Sequence, residues 1–345
     1  MSRLPSSPFG RIWLALLGIG ISVVALWIAV RNVDLAFVAE RLAQADPRYL
    51  LLALAVGAVQ IWLRTARWQL LLPLRPDGSR ARTRRLVPVV LIGYLGNVAL
   101  PARLGELVRT YLVSRREGMD PAAVLGTVVL ERILDVVALA GFALIVALSI
   151  GAPAWIVGAA ALAAAIGLAA LVVAIAGLPT VVRILGPRFA MADATSQWPR
   201  LPGSEALLRI ARRFTAGVSG FRSRRAVAGA AALSFIAWPL DALLVWLVAS
   251  SIDIDISLGA AALISAAAVL STAVPSAPGY VGTYELAAAF AAQAMGVASS
   301  PAFALAVLAH AFTILPAAIA GAVCLVLLRG SLGPILPAPD AAESR

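Results

Sequence analysis

Nine stretches of this chain stay apolar for the thickness of a bilayer core or close to it, separated by short polar interruptions: 12–30, 49–71, about 86–101, 122–150, 154–177, 226–251, 257–276, 278–297 and 302–328. Lipid offers the backbone no hydrogen-bonding partner, so such runs must satisfy themselves as helices or close into a barrel. The two-residue alternation of barrel strands is absent. The expected fold class is therefore all-α, a polytopic integral membrane protein. Composition agrees, with 61% hydrophobic and 13% charged residues and a mean hydropathy of +0.94, where a soluble chain carries about 25% charged residues.

The 28 basic residues are all arginine and give a net charge of +11. A pI near 11.3 invites a nucleic-acid reading, but these arginines lie in short loops between apolar runs, where membrane orientation explains them. No nucleic-acid partner is expected. The single cysteine, Cys324, lies inside an apolar run and offers neither a disulfide framework nor metal-ligand spacing. No partnered nucleophile, phosphate-cradling loop or metal cluster is recognisable, so neither an enzyme nor a cofactor is expected. Without an ATP-binding signature, active transport would draw on an ion gradient or the membrane potential, whereas downhill scrambling needs neither.

Arginine excess predicts the path through the membrane. Residues 64–85 hold Arg64, Arg67, Arg75, Arg80, Arg82, Arg84 and Arg85, and residues 178–225 hold nine more arginines, so both segments are expected on the cytoplasmic side. Arg64, Arg67 and Trp68 read as interfacial anchors. The first run is too long for a signal-peptide core and reads as a retained helix. The segment 86–118 contains Gly93, Gly96, Asn97 and Pro101 and then turns charged; 257–297 is interrupted by Pro275, Pro278 and Gly279. Mid-membrane Pro and Gly free backbone groups that only protein or a wet cavity can satisfy. Both segments read as broken or re-entrant insertions alongside six full crossings, with both termini cytoplasmic in a bacterial-type inner membrane. The expected organisation is a first membrane half over 1–177, a basic loop with an amphipathic helix over 178–225, a second half over 226–328, and a short tail over 329–345.

One broken insertion per half, entering from opposite faces, is the layout of inverted-repeat transporters, with the substrate site where the breaks meet. Pro101, Gly105 and Glu106 align by eye with Pro278, Gly282 and Glu285.

The strings RTARWQLLL, GYLGNVALPARLGELVRTYLV, VLGTVVLERILDVVAL and VPSAPGYVGTYELA, in that order, resemble the flippase-like family, also called the lysylphosphatidylglycerol synthase transmembrane region, the membrane half of the multiple peptide resistance factor. The resemblance covers about residues 10–328. It implies handling of a phospholipid or polyprenyl-linked lipid and carries over at Asn97, Pro101, Arg103, Gly105, Glu106, Arg109, Glu131, Arg132, Asp135, Pro278, Gly279, Gly282 and Glu285. Family members often read Pro-Gly-Gly at the second break; here Tyr280 follows Gly279. Only 17 residues follow Leu328, so aminoacyl-transfer activity is not expected of this chain.

The residues themselves fit lipid handling. Arg103, Glu106 and Arg109 fall at i, i+3 and i+6, which places neighbours within reach on one helix flank. A guanidinium beyond a helix break suits a lipid phosphate. Glu285, with Gly279 and Gly282 on its flank, suits an amine or sugar hydroxyl, or a proton. Tyr280 and Tyr284 are expected to share a flank and either stack on a head group or pack. Substrate-binding candidates are thus Asn97, Arg103, Glu106, Arg109, Gly279, Tyr280, Gly282 and Glu285. Glu131, Arg132, Asp135, Asp241 and His310 are candidates for ion coupling or structural pairing; the first three are expected near a cytoplasmic helix end, where they snorkel, and His310 packs among helices. The segment EALLRIARRFTAGVSGF sets Leu207, Ala211, Phe214, Val218 and Phe221 opposite Arg209, Arg212 and Arg213, a basic amphipathic helix for the anionic leaflet. The leading function is lipid translocation. The alternatives are a non-transporting partner presenting lipid to a separate glycosyl- or aminoacyl-transferase, and a small-solute transporter.

Overall fold

A computed structural model of the chain describes residues 8–100, 103–177, 204–218 and 224–332, with positions 180, 181 and 184 besides. Pro101, Leu207's side chain, Phe221, most of the 178–225 loop and the tail beyond Leu332 lie outside the described set. Among the described residues, twelve α-helices follow in order: α1 (Pro8–Val30), α2 (Leu35–Ala43), α3 (Pro47–Leu71), α4 (Thr83–Ala99), α5 (Gly105–Glu117), α6 (Pro121–Ser149), α7 (Ala154–Val172), α8 (Ser204–Val218), α9 (Arg224–Ser251), α10 (Leu258–Ser271), α11 (Thr283–Ala294) and α12 (Ser299–Leu332).

Their starts are written locally. Asp34 accepts from the amides of Ala36 and Phe37, Asp46 from Arg48, and Asp120 from Ala122 and Ala123. Proline stands at the first position of α3 and α6, where its missing N–H is no loss. Five helices are long and apolar enough to cross a membrane: α3, α6, α7 extended by a π turn to Gly177, Ala228–Ser251 of α9 and Ser299–Leu328 of α12. A sixth is reached if Leu16–Val30 of α1 and α2, bent by 88° where they meet, are taken as one broken span. The chain is thus an all-α polytopic membrane protein. Large apolar side chains such as Val23, Trp27, Leu51, Leu162 and Leu327 point outward, as lipid requires and water would penalise.

Lipid tails are as apolar as side chains, so helix association rests on close packing and interhelical hydrogen bonds. The core where α9, α10, α11 and α12 meet is accordingly dominated by small residues, among them Ala249, Ala261, Ala268, Ala288, Ala292, Ala302 and Ala306. Further pairings join α3 to α9, α6 to α7 and α4 to α12.

The apolar runs overstate helix at the second interruption. Helix α10 stops at Ser271 and α11 begins at Thr283, leaving 272–282 outside α-helix save for a 3-10 turn at Pro278–Tyr280. The first interruption is shorter, a hairpin of α4 and α5. Helix α8 also departs from expectation: Phe214 and Val218 pack with Leu130 and Ala174 rather than on a leaflet. Its backbone lies against α6, because Gly126 and Gly217 leave no Cβ to hold the helices apart, and Arg213 pairs with Asp120 at 2.9 Å.

Candidate functional site

The two breaks meet. At the first, α4 ends at Ala99 and Arg103 occupies the left-handed region with φ 55° before α5 begins. Gly105 sits so close to α4 that an added Cβ would strike the Gly93 carbonyl and Asn97. At the second, Gly279, Tyr280 and Gly282 have φ of 72°, 62° and 90°. A side chain in this region costs about 1–2 kcal/mol, and Arg103 and Tyr280 both carry one. They also touch: the Arg103 guanidinium stacks over the Tyr280 ring at 5.2 Å and donates to the carbonyl of Thr272 and, at 2.7 Å, to its hydroxyl.

From Arg103 a chain of ion pairs runs into the protein. Arg103 approaches Glu106 at 4.0 Å, Glu106 lies 2.6 Å from Arg132, and Arg132 reaches Asp135 at 3.6 Å. Asp135 is 2.6 Å from Arg67, which also reaches Glu131 at 3.4 Å, and Glu131 is 2.7 Å from Arg109. Arg109 covers the ring of Trp68, whose indole N–H donates to Thr127. This cluster joins α3, α5 and α6. The side chains of Arg67 and Glu131 are 2% and 6% exposed, and a buried pair that loses one partner leaves the other charge uncompensated, at about 3–5 kcal/mol. Arg64 and Asp241 form a second, separate pair between α3 and α9 at 2.5 Å, with Arg64 over Trp238.

The second break is held differently. Glu285 accepts the Gly282 amide at 2.7 Å through one oxygen and lies 2.6 Å from His310 Nδ1 through the other. His310 stacks face to face on Tyr284, ring centroids 4.1 Å apart. Helix α1 closes the outside of the break: the Ser22 hydroxyl accepts the Ala277 amide at 2.7 Å, and Gly282 lies against the Ser22 carbonyl.

Between the breaks is a cavity of about 360 Å³. Its polar lining includes Arg64, Asn97, Arg103, Arg132, Asp241 and His310, and its apolar lining Leu54, Ile61, Val87, Leu91 and Leu244. Such a site suits a ligand with a charged, hydrogen-bonding end and a greasy remainder.

Several expectations change against this geometry. Arg109 pairs with Glu131, not Glu106, because α5 turns that side chain toward α6. Glu131, Arg132 and Asp135 do not snorkel at a helix end; Glu131 stands ten residues into α6, ~15 Å along it, and with Asp135 is consumed by interhelical pairing. Glu285 is a helix cap and histidine partner, not an open carboxylate. Gly279 and Gly282 share no helical flank with it, being outside α11. Tyr280 and Tyr284 are likewise separated by the break: the first faces Arg103, the second is buried against His310. His310 does more than pack, since its ring lines the cavity. Arg64, Arg67 and Trp68 are not interfacial anchors. Sequence reasoning also missed Ser22 and Thr272, whose partners lie far along the chain.

The family description "Lysylphosphatidylglycerol synthase TM region" matches residues 15–321. The Glycosyltransferase AglD of Haloferax volcanii is 26% identical over 320 residues, covering 85% of this chain and 51% of that protein. A UPF0104 membrane protein of Methanothermobacter thermautotrophicus is 29% identical over 117 residues, 33% of this chain and 34% of that protein. The chain thus spans about half the length of the first of these relatives and a third of the second.

Proposed function

Since the chain belongs to the lysylphosphatidylglycerol synthase transmembrane-region family, we propose that it translocates a lipid between leaflets, the head group passing through the cavity between the two breaks while the tails stay in the bilayer. The observation that carries this reading is the cavity itself: bounded by helix breaks in a bundle of membrane-spanning helices, it combines arginines and hydrogen-bonding groups with an apolar wall. A head group crossing hydrocarbon unaided loses the hydration of every polar atom, several kcal/mol for each one left unpaired. A lining of donors and acceptors lowers that barrier without catalysing a reaction.

The pseudo-repeat supports the same reading. Arg103 and Tyr280 each stand two residues beyond a proline, Pro101 or Pro278, and both are left-handed; Gly105 and Gly282 each stand four beyond it, and each lies against another backbone. On the arginine rule the protein lies in a cell membrane with both termini and residues 178–225 cytoplasmic. Single cysteines in a Cys324→Ser background test that: labelling of 178–225 by an impermeant reagent from outside would reverse the path.

The test of function is leaflet-resolved accessibility of phospholipids and polyprenyl-phosphate sugars in liposomes, with and without a pH gradient or potential. Movement above protein-free vesicles is expected. A second reading is favoured by the match to half of a protein named a glycosyltransferase: this chain would present lipid to a separate transferase. Unchanged lipid movement together with a co-purifying transferase that requires this chain would select it.

A further inference from the structure

One arginine at the cavity has no carboxylate of its own. Among the described residues, the ion pairs around the first break and between α3 and α9 gather five arginines (Arg64, Arg67, Arg103, Arg109 and Arg132) on four carboxylates (Glu106, Glu131, Asp135 and Asp241). Arg64 occupies Asp241. Arg67 and Arg109 divide Glu131 between them, Arg67 also holding Asp135, while Arg132 holds Glu106 at 2.6 Å. Arg103 is the remainder. Its nearest carboxylate oxygen is 4.0 Å away and is the one Arg132 already holds. Its closer contacts, the carbonyl and hydroxyl of Thr272 and the face of Tyr280, carry no formal charge. It also lines the cavity. An uncompensated cation inside a membrane protein is expensive to keep, and one bound anion would discharge it.

The second observation lies on α12. His310 is a cavity-lining residue with a side chain only 7% exposed, and its Nε2 has no partner among the described residues. Nδ1 faces the Glu285 carboxylate at 2.6 Å; a proton held there leaves Nε2 as a lone-pair acceptor. A hydroxyl satisfies it. Glu285 keeps its negative charge, but its oxygens are turned to His310 and to the Gly282 amide at the head of α11, and it is not part of the cavity lining.

Resting on the translocation reading, we infer that the head group is a phosphodiester of one negative charge bearing a neutral, hydroxylated moiety, with the phosphate at Arg103 and a hydroxyl at His310 Nε2. A cationic aminoacyl head group does not fit. Its ammonium would enter a lining that holds Arg64, Arg103 and Arg132 against one carboxylate, Asp241, which Arg64 already occupies. Two sources carry the fitting chemistry: a glycerophospholipid such as phosphatidylglycerol, and a polyprenyl-phosphate hexose.

The experiment measures binding, separately from movement. The purified full chain in phosphatidylcholine nanodiscs is loaded with labelled phosphatidylglycerol, and unlabelled phosphatidylglycerol, polyprenyl-phosphate hexose, lysyl-phosphatidylglycerol and phosphatidylmethanol compete. At least one of the two hydroxylated phosphodiesters should bind ten or more times more tightly than lysyl-phosphatidylglycerol, and the stronger one identifies the source. Should phosphatidylglycerol give no signal, labelled polyprenyl-phosphate hexose replaces it as the probe. Phosphatidylmethanol, equal in charge but without hydroxyls, should bind severalfold more weakly than phosphatidylglycerol or the hexose. Arg103→Gln should weaken the preferred lipid at least tenfold, and Arg103→Lys should retain most of the affinity. Lysyl-phosphatidylglycerol binding as well or better, neither probe binding above the phosphatidylcholine background, or phosphatidylmethanol matching the preferred lipid would each overturn the inference, and the lipid ranking decides even if Arg103→Gln fails to fold. Binding in the expected order without movement in liposomes would remove translocation and leave the head-group assignment standing.

Discussion

The two helix breaks solve one problem by opposite means. Each leaves backbone groups free in a region without water, and each must hold its turn against the bilayer. The first does so with formal charges: Arg103, Glu106, Arg109, Glu131, Arg132, Asp135 and Arg67 tie α3, α5 and α6 together. The second does so mostly with backbone: Gly279 and Gly282 take left-handed turns, Glu285 caps the Gly282 amide, and Ser22 of α1 receives Ala277. Charge pairing is strong but unforgiving when one member is removed. Backbone capping is weaker per contact, and shape rather than charge sets its tolerance.

The largest effect should therefore fall on the first break. Glu131→Gln leaves Arg67 and Arg109 without their shared carboxylate, and a loss of about 3–5 kcal/mol is expected, read as a collapse in the yield of folded protein or a sharply lowered unfolding midpoint in detergent. A change below about 1 kcal/mol would erase the contrast between the breaks. Next comes Gly282→Ala, which forces a Cβ onto the Ser22 backbone at φ 90°. The strained conformation alone costs ~1–3 kcal/mol, and protease cleavage between α1 and α3 should accelerate as α1 loosens.

Glu285→Gln is a milder change, because an amide oxygen still accepts from the Gly282 amide while the charge facing His310 is lost. Unfolding should shift by about 1 kcal/mol, with membrane insertion and abundance near normal, but lipid movement should drop at least tenfold; joint loss of abundance and movement would make the residue purely structural. The smallest effect is expected for Tyr280→Gly. It relieves roughly 1–2 kcal/mol of left-handed strain but forfeits a cation–π contact of about 0.5–1 kcal/mol and the packing of its ring against the core of α9–α12, so the midpoint should move little. A marked fall would show that the contacts of the ring outweigh the resistance of the backbone.

Helix positions were legible from the apolar runs, although the local caps that set their starts, Asp34, Asp46 with Pro47, and Asp120 with Pro121, went unread. The breaks were legible because Pro and Gly alter the backbone wherever they stand. Pairing was not. Arg67 and Glu131 are 64 residues apart and Arg64 and Asp241 are 177 apart, and spacing along one helix pointed Arg109 to the wrong partner. Arg64, Arg67 and Trp68 were misread because an arginine–tryptophan cluster near a helix end has the same composition whether it faces head groups or a neighbouring helix. His310 was underread for a related reason: periodicity places a residue in the interior, but only Glu285, Tyr284 and the cavity give it a task.

The bond from Ala277 to Ser22 spans 255 residues, and this bears on how the protein is made. At a synthesis rate of about 5–20 residues per second, the ribosome takes roughly 13–50 s to deliver the partner that α1 waits for. Meanwhile α1 must persist in the bilayer as a solitary helix. Its closed ladder of internal hydrogen bonds allows this, and Gly18, without a Cβ, leaves room on the docking face for the Ser276 backbone. The second break, by contrast, emerges when its support is already installed. Order of birth thus gives the less strongly charged turn a finished surface to settle on, and a chain shortened at its amino end would be expected to reach the membrane normally and fail only at this last docking step.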